Sequence, residues 1–293
     1  MSVQNNAGAE TAWRCVASLE GHQGAVYDLA SDGPDLLWSV GGDGCLVRWL
    51  RDESGWRPAG EAVAKADEAL FCVEALSGGG AVCGGASGGI VVWDSGNVVF
   101  HPGHVGGTFV VSERLSAGAD GAVRRWKSGE VIAQVDARIR CLMEREDGVW
   151  MGTHEGSVYR HDVSPSQALH EGSLRAMVDW PGKPAIGTAG ADGRIRIWKT
   201  SGEQLEDIVA IEAHRAAIYR LKASPDGLRM ATASRDRSAA VWNSADLSLE
   251  SRLVRTALGG HTRSVNALCW LDDRTLASGG DDRRIFIWER NAD

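Results

Sequence analysis

Histidine, a hydroxyl residue and aspartate, held in hydrogen-bond contact, are the side chains that activate a serine or threonine for attack on a carbonyl. The sequence supplies that trio five times: His22, Ser39, Asp43; His104, Ser116, Asp120; His170, Thr188, Asp192; His214, Thr232, Asp236; and His261, Ser278, Asp282. Six positions after each Asp stands a tryptophan, namely Trp49, Trp126, Trp198, Trp242 and Trp288. A nucleophilic enzyme needs one such constellation, and nothing singles out one copy here. None of these hydroxyl residues sits in the G-x-S-x-G elbow of hydrolases. The one match to that pattern, around Ser87, falls on a hairpin turn in a repeat without an opening His, so Ser87 reads as a turn residue. A trio that recurs with a terminal Trp is not one reactive centre, and indole, hydroxyl, imidazole and carboxylate can donate and accept in series.

The elements that must position these side chains follow from the spacing. Seven pairs share the six-residue interval: Asp43/Trp49, Ser87/Trp93, Asp120/Trp126, Glu155/His161, Asp192/Trp198, Asp236/Trp242 and Asp282/Trp288. Neighbouring copies lie 33 to 46 residues apart and together span nearly the whole chain, which is the signature of a repeat architecture. The last copy divides into three β-patterned runs: strand a from Val265 to Trp270, strand b from Thr275 to Ser278 and strand c from Arg284 to Trp288. Strands b and c flank a turn that in three other copies is Asp-Gly, at Asp43-Gly44, Asp120-Gly121 and Asp192-Gly193, a strong hairpin signal. After most c strands there is room for an outer strand d, such as the apolar run Ile208 to Ile211. The last copy has no such room. The alternating Trp13, Cys15, Ala17 and Leu19 offer the missing strand from the N-terminus, closing a ring and removing an open sheet edge.

With its Gly-His pairs at 21/22, 103/104 and 260/261, Ala213-His214, and its terminal tryptophans, the chain resembles the WD-repeat β-propeller family. The family's Trp-Asp dipeptide itself occurs once, at Trp93-Asp94; repeats two and four lack the opening His, and repeat four closes with His161. The resemblance implies an all-β fold: a seven-bladed propeller of four-stranded antiparallel blades, closed by the N-terminal strand pairing with the last blade. It also implies that each trio and its Trp form a buried structural hydrogen-bond chain, which their capacity to donate and accept in series supports. Loss of one member is expected to cost on the order of 1–3 kcal/mol of stability. Residues 12–290 are expected to form this single unit, residues 12–20 to give the outer strand of the last blade, and residues 1–11 to be a flexible N-terminus.

Composition narrows the function classes. The formal charge is -8 over 293 residues, which disfavours nonspecific attraction to nucleic acid. Six cysteines are scattered without C-x-x-C spacing, so neither a zinc site nor a redox pair is expected, and no metal or other cofactor is called. No apolar stretch is long enough to span a membrane, and the N-terminus lacks a secretory pattern; a soluble, cytoplasmic protein is the expectation.

In the family the position five residues after the opening His faces the mouth of the central channel. Carried over by aligning the apolar positions, the resemblance gives Tyr27, Phe71, Phe109, Arg140, Arg175, Tyr219 and Asn266. The residue before the turn acid, also a contact position in the family, adds His154, Arg235 and Asp281. Aromatics with arginines favour protein recognition, the arginines holding carboxylate or phosphate and the aromatics an apolar group. The expected function is thus a noncatalytic protein-interaction scaffold, monomeric alone and working within a complex, that binds a peptide or protein with acidic and apolar anchors. Two alternatives stand beside it: a propeller enzyme, or a phosphorylated or nucleic acid ligand on the arginine arc. If the aromatics merely plugged the channel and the arginines paired with nearby acids, the mouth would bind nothing.

Overall fold

The computed structural model describes residues 12–161, 163–200, 204–257 and 259–291. Short apolar runs separated by Gly- and Asp-containing turns fold into seven antiparallel sheets arranged as the blades of a propeller. Blade one begins at Val26 and blades two to seven at Leu70, Thr108, Ile139, Leu174, Ile218 and Val265, each of which opens the innermost strand a. The stretch 1–11, expected to be a flexible tail, lies outside the described residues.

Ring closure is the step that the alternating Trp13, Cys15, Ala17 and Leu19 anticipate. Strand Trp13–Glu20 pairs antiparallel with Arg284–Arg290, setting Cys15 opposite Trp288 and Leu19 opposite Ile285. Trp13 and Leu19 are buried, so this outer strand is packed as well as hydrogen-bonded. Blade seven therefore takes one strand from the start of the chain and three from its end, and the propeller has no open seam.

Blades two and four, which lack the opening His, keep full four-strand pairing; Gly80–Gly85 pairs with Leu70–Leu76, and Gly148–Thr153 with Ile139–Arg145. Blade one departs from four strands. Between its c strand, Cys45–Asp52, and its outer strand, Glu61–Lys65, a two-residue strand Gly55–Trp56 folds back on the end of c. The c strand is long enough to accept both partners, one on each half.

Packing is between blades. Leu29, Leu37, Val47 and Trp49 of blade one interdigitate with Ala267, Leu271, Ala277 and Ile287 of blade seven. Similar buried clusters join the other neighbours, as where Trp180 and Ile197 of blade five meet Leu221 and Trp242 of blade six. A strand buried on both faces needs apolar residues at successive positions, which is why strand b reads as a run of small and aliphatic residues rather than as an alternation. Cys83 belongs to such a run, while Cys72 and Cys141 stand in strands a; all six cysteines are free thiols, and burial pushes Cys83 and Cys141 up to about 12. The Asp-Gly turns use glycine for its backbone: Gly121 has φ 71°, and a Cβ there would lie 2.1 Å from the Val135 carbonyl oxygen.

Candidate functional site

The five trios are brought together by the d–a and b–c connections of their blades. In blade seven the His261 Nδ1–H donates to Asp282 at 2.9 Å, the Ser278 hydroxyl bonds His261 Nε2 at 2.9 Å, and the Trp288 indole N–H donates to Ser278 Oγ at 2.8 Å. Blades one, five and six repeat the chain through His22, Ser39, Asp43 and Trp49; His170, Thr188, Asp192 and Trp198; and His214, Thr232, Asp236 and Trp242. An aspartate only accepts, so Nδ1 carries the proton and Nε2 takes the hydroxyl's. The five hydroxyls are fully buried and already bonded to imidazole, so none of the five faces solvent.

Blade three is the exception. Its His104 bonds Asp120 and Ser116 as expected, at 2.8 and 2.9 Å, but Trp126 donates to the Ser112 carbonyl at 3.2 Å rather than to Ser116. This blade's strands are four residues each, and its shortened c strand ends at Arg125, before the Trp. Blades without a trio hold their turns otherwise. Glu68 accepts the Ser87 N–H in blade two, and Thr153 exchanges hydrogen bonds with the Ser157 backbone at 3.1 and 3.2 Å in blade four.

Burial raises the carboxyls of the five aspartates, yet the hydrogen bond and charge of the facing His, with backbone N–H groups of the turn, outweigh it. Asp43, Asp120, Asp192, Asp236 and Asp282 all lie below the ordinary carboxylate range. Burial also pulls His104 down, against the opposing pull of Asp120.

The channel mouth is built from one repeated backbone irregularity. In all seven blades the register between strands a and b slips across the second residue of strand a: between Val26 and Asp28, Leu70 and Cys72, Thr108 and Val110, Ile139 and Cys141, Leu174 and Ala176, Ile218 and Arg220, and Val265 and Ala267. The skipped residues are Tyr27, Phe71, Phe109, Arg140, Arg175, Tyr219 and Asn266, the seven positions carried over from the family resemblance. A bulge leaves one residue unpaired and re-aims its side chain. Here it turns seven side chains to one pocket of about 350 Å³, lined by these residues with Arg220 and Asp281.

Within the pocket the aromatics form a continuous arc. The Tyr27 and Phe71 ring centroids are 5.8 Å apart, as are those of Phe71 and Phe109, and the Arg140 guanidinium lies 4.3 Å from the Phe109 centroid. Next to it, Arg175 stacks on Tyr219 at 5.3 Å. Neither Arg140 nor Arg175 has a carboxylate partner among the described residues, and Arg175 Nε is buried without a hydrogen bond. Burial, then the like charges of Arg175 and Arg220, push Arg140 down to about 10, and burial lowers Arg175 as well. The pocket thus holds two desolvated cations that repel each other, beside an apolar arc.

Asp281 and Asn266 complete the opposite rim, Asn266 Nδ2 donating to Asp281 at 2.7 Å and to the Val26 carbonyl at 3.0 Å. Sequence reasoning missed the residue at the pocket floor. Arg220 reaches from blade six to blade one, pairs with Asp28 at 2.9 Å and donates to the Tyr219 and Tyr27 carbonyls at 3.1 and 3.4 Å. Asp28, next to Tyr27 on its strand, also accepts the Val73 N–H at 3.1 Å, so one buried carboxylate ties blades one, two and six. Two expected members stand apart. His154 is exposed above a separate shallow depression with Asp136, Arg138 and Glu155, and Arg235 is exposed outside the pocket lining.

Known proteins place this architecture. The family described as "WD domain, G-beta repeat" matches at residues 13–49, 206–243 and 251–289. The ribosome biogenesis protein WDR12 homolog of Drosophila erecta is 30% identical over 103 residues, covering 31% of this chain and 24% of that protein. Actin-interacting protein 1-2 of Arabidopsis thaliana is 30% identical over 103 residues, covering 34% of this chain and 16% of that one. The chain therefore spans about a quarter or less of the length of these curated relatives. Across nearly its full extent, 96% of this chain and 98% of the other, the fold superposes on the WD40 beta propeller domain of Doa1 with a TM-score of 0.82 at 19% identity. Three repeats thus match the WD-repeat pattern, and the seven blades closed by a terminal strand give the chain the fold of a seven-bladed WD40-type β-propeller.

Proposed function

We propose that the propeller is a noncatalytic scaffold that receives a peptide segment of a partner protein at the channel mouth, through one carboxylate and one apolar anchor. The observation that carries this reading is the pairing of Arg140 and Arg175, without a carboxylate of their own, with the Tyr27, Phe71 and Phe109 arc in one pocket. A plugged channel would leave no cavity, and arginines serving only structure would be paired as Arg220 is with Asp28. Desolvated guanidinium gains most from a bidentate acceptor, and the aromatic arc gains from an aliphatic or ring side chain. Of the two relatives, one is named for ribosome biogenesis and the other for interaction with actin, which fits a propeller acting by contact.

Selection from a displayed random peptide library, run on the wild type and on a folded Phe71→Ala, Arg175→Glu variant, tests this. Enrichment of peptides joining Asp or Glu to an apolar residue on the wild type alone is the expected result. Equal enrichment on both proteins would move recognition away from the mouth. Enrichment of acidic peptides with no apolar preference, lost steeply with salt, would favour a phosphorylated or polyanionic ligand instead.

A further inference from the structure

The arginines fall into two populations. Many meet acids, as Arg48 does Glu61, Arg145 Asp179, Arg229 Glu250 and, beside the b–c turn of blade seven, Arg284 Glu20. On the mouth face of blades six and seven, apart from Arg252 beside Asp236 and Arg284 beside Glu20, six do not. Arg215, Arg235, Arg237, Arg255, Arg263 and Arg283 are exposed there on the d–a and b–c connections, with no carboxylate partner among the described residues. The acids closest in sequence are committed inward: Asp236 to His214, Asp282 to His261 and Asp281 to Asn266.

An independent backbone observation falls on the same two blades. At the second position of the b–c turn the other five blades carry glycine with positive φ: Gly44 at 72°, Gly88 at 101°, Gly121 at 71°, Gly156 at 88° and Gly193 at 74°. Blades six and seven place Arg237 at 74° and Arg283 at 67° in that same left-handed conformation. A side chain with a Cβ is strained there, and glycine would relieve it. Two adjacent turns that keep arginine against this preference, beside four further unpaired arginines, mark a surface held for its charge.

We propose that the mouth face of blades six and seven is a docking surface for an acidic segment of a partner polypeptide, continuous with the channel mouth. It extends the peptide reading of the mouth, and the experiment below separates the two. A polypeptide is favoured over nucleic acid on two grounds. The whole chain carries a formal charge of -8, which opposes a long polyanion, whereas a short acidic segment is seen only by the local arginines. The six arginines are also spread over four connections, and of the mouth aromatics that would stack bases only Tyr219 lies on these two blades, Tyr27, Phe71 and Phe109 lying in blades one to three.

Fluorescence anisotropy on the full chain tests the surface, with a fluorescein-labelled oligo-glutamate peptide and a polyuridine RNA of matched charge as probes. The proteins are the wild type, Arg237→Gly with Arg283→Gly, Arg215→Ala with Arg263→Ala, and Phe71→Ala with Arg175→Glu. Expected is oligo-glutamate binding that weakens about tenfold in each of the two blade-six-and-seven variants, with a shallower salt dependence. The double glycine variant should melt at an unchanged or higher temperature, because strain is relieved while binding is lost. The mouth variant should keep most of the oligo-glutamate affinity. Unchanged binding in both surface variants, RNA bound more tightly than oligo-glutamate, or no binding of the peptide to the wild type at low salt would each overturn the proposal. Loss in the mouth variant alone would also overturn it while leaving the mouth reading intact.

Discussion

Ser278→Ala is the sharpest probe of the hydrogen-bond chain, because one oxygen serves two buried partners. It accepts the Trp288 indole N–H at 2.8 Å and bonds His261 Nε2 at 2.9 Å, and both rings are 3% exposed. Alanine is nearly isosteric, so little cavity forms and the cost comes from the two polar atoms left without partners. At about 1–3 kcal/mol for each buried orphan, the loss is about 2–6 kcal/mol. Against a typical domain stability of about 5–15 kcal/mol this is a large fraction. At about 2 °C per kcal/mol for a chain of this size, it lowers the melting temperature by roughly 4–12 °C. Blade three supplies the internal control. Ser116 bonds His104 at 2.9 Å but receives nothing from Trp126, whose N–H goes to the Ser112 carbonyl, so Ser116→Ala orphans one group and costs about 1–3 kcal/mol. Urea unfolding followed by tryptophan fluorescence and far-UV circular dichroism measures both, with an unchanged m-value licensing the comparison. Adding Trp288→Phe to Ser278→Ala should cost less than the two single losses summed, since the orphaned donor is gone. Equal costs for the two serines, or a Ser278→Ala loss under about 0.5 kcal/mol, would refute the reasoning.

Three further outcomes follow from the same geometry. All five trio aspartates have folded-state values depressed below the unfolded one, so the stability they contribute is present above about pH 4 and is lost as pH falls through the folded values. The urea midpoint should therefore drop steeply below pH 4, and a flat profile from pH 5 to pH 2 would contradict it. Asp236→Ala lowers the melting temperature, since it removes the acceptor of His214 Nδ1 and of the Ser238 hydroxyl, whereas exposed Asp246→Ala, which touches only Ser248, leaves the melt within about 1 °C. Deleting residues 12–20 strips the outer strand from Arg284–Arg290 and bares Trp288 and Ile285; the truncated chain should melt lower and self-associate in sedimentation, and a monomer of unchanged stability would sink the closure argument.

What was legible in the sequence divides by the range of the interaction that reveals it. The blades, their b–c turns and the closing strand are local patterns, and period-two alternation with Asp-Gly turns is enough to place them. The trios were legible because their spacing is fixed by strands a to c of one blade. Blade three shows the limit: Trp126 keeps its interval from Asp120, yet its N–H finds the Ser112 carbonyl because strand c stops one residue short. Spacing reports the position of a residue, not the acceptor nearest to it.

The mouth shows the same limit from the other side. Seven positions could be aligned, but only the bulge explains why those residues, and not their neighbours, leave the sheet; a slip in register is a property of two strands and leaves no mark on one. Arg220 escaped notice for the same reason. It follows Tyr219 directly, and along a regular strand alternation would send it away from the mouth. The slip between Ile218 and Arg220 lets both residues serve one pocket, Tyr219 at its wall and Arg220 beneath, where Asp28 from blade one meets it at 2.9 Å. That ion pair occupies the carboxylate nearest the floor, and Arg140 and Arg175 above it have no carboxylate partner among the described residues. Replacing Asp28 with Asn should free Arg220 as a third cation facing the mouth, tightening acidic peptides while loosening the fold. If acidic peptides bound Asp28→Asn no better than wild type, the floor and the mouth would have to be electrically independent, and the account of two uncompensated arginines would need another cause.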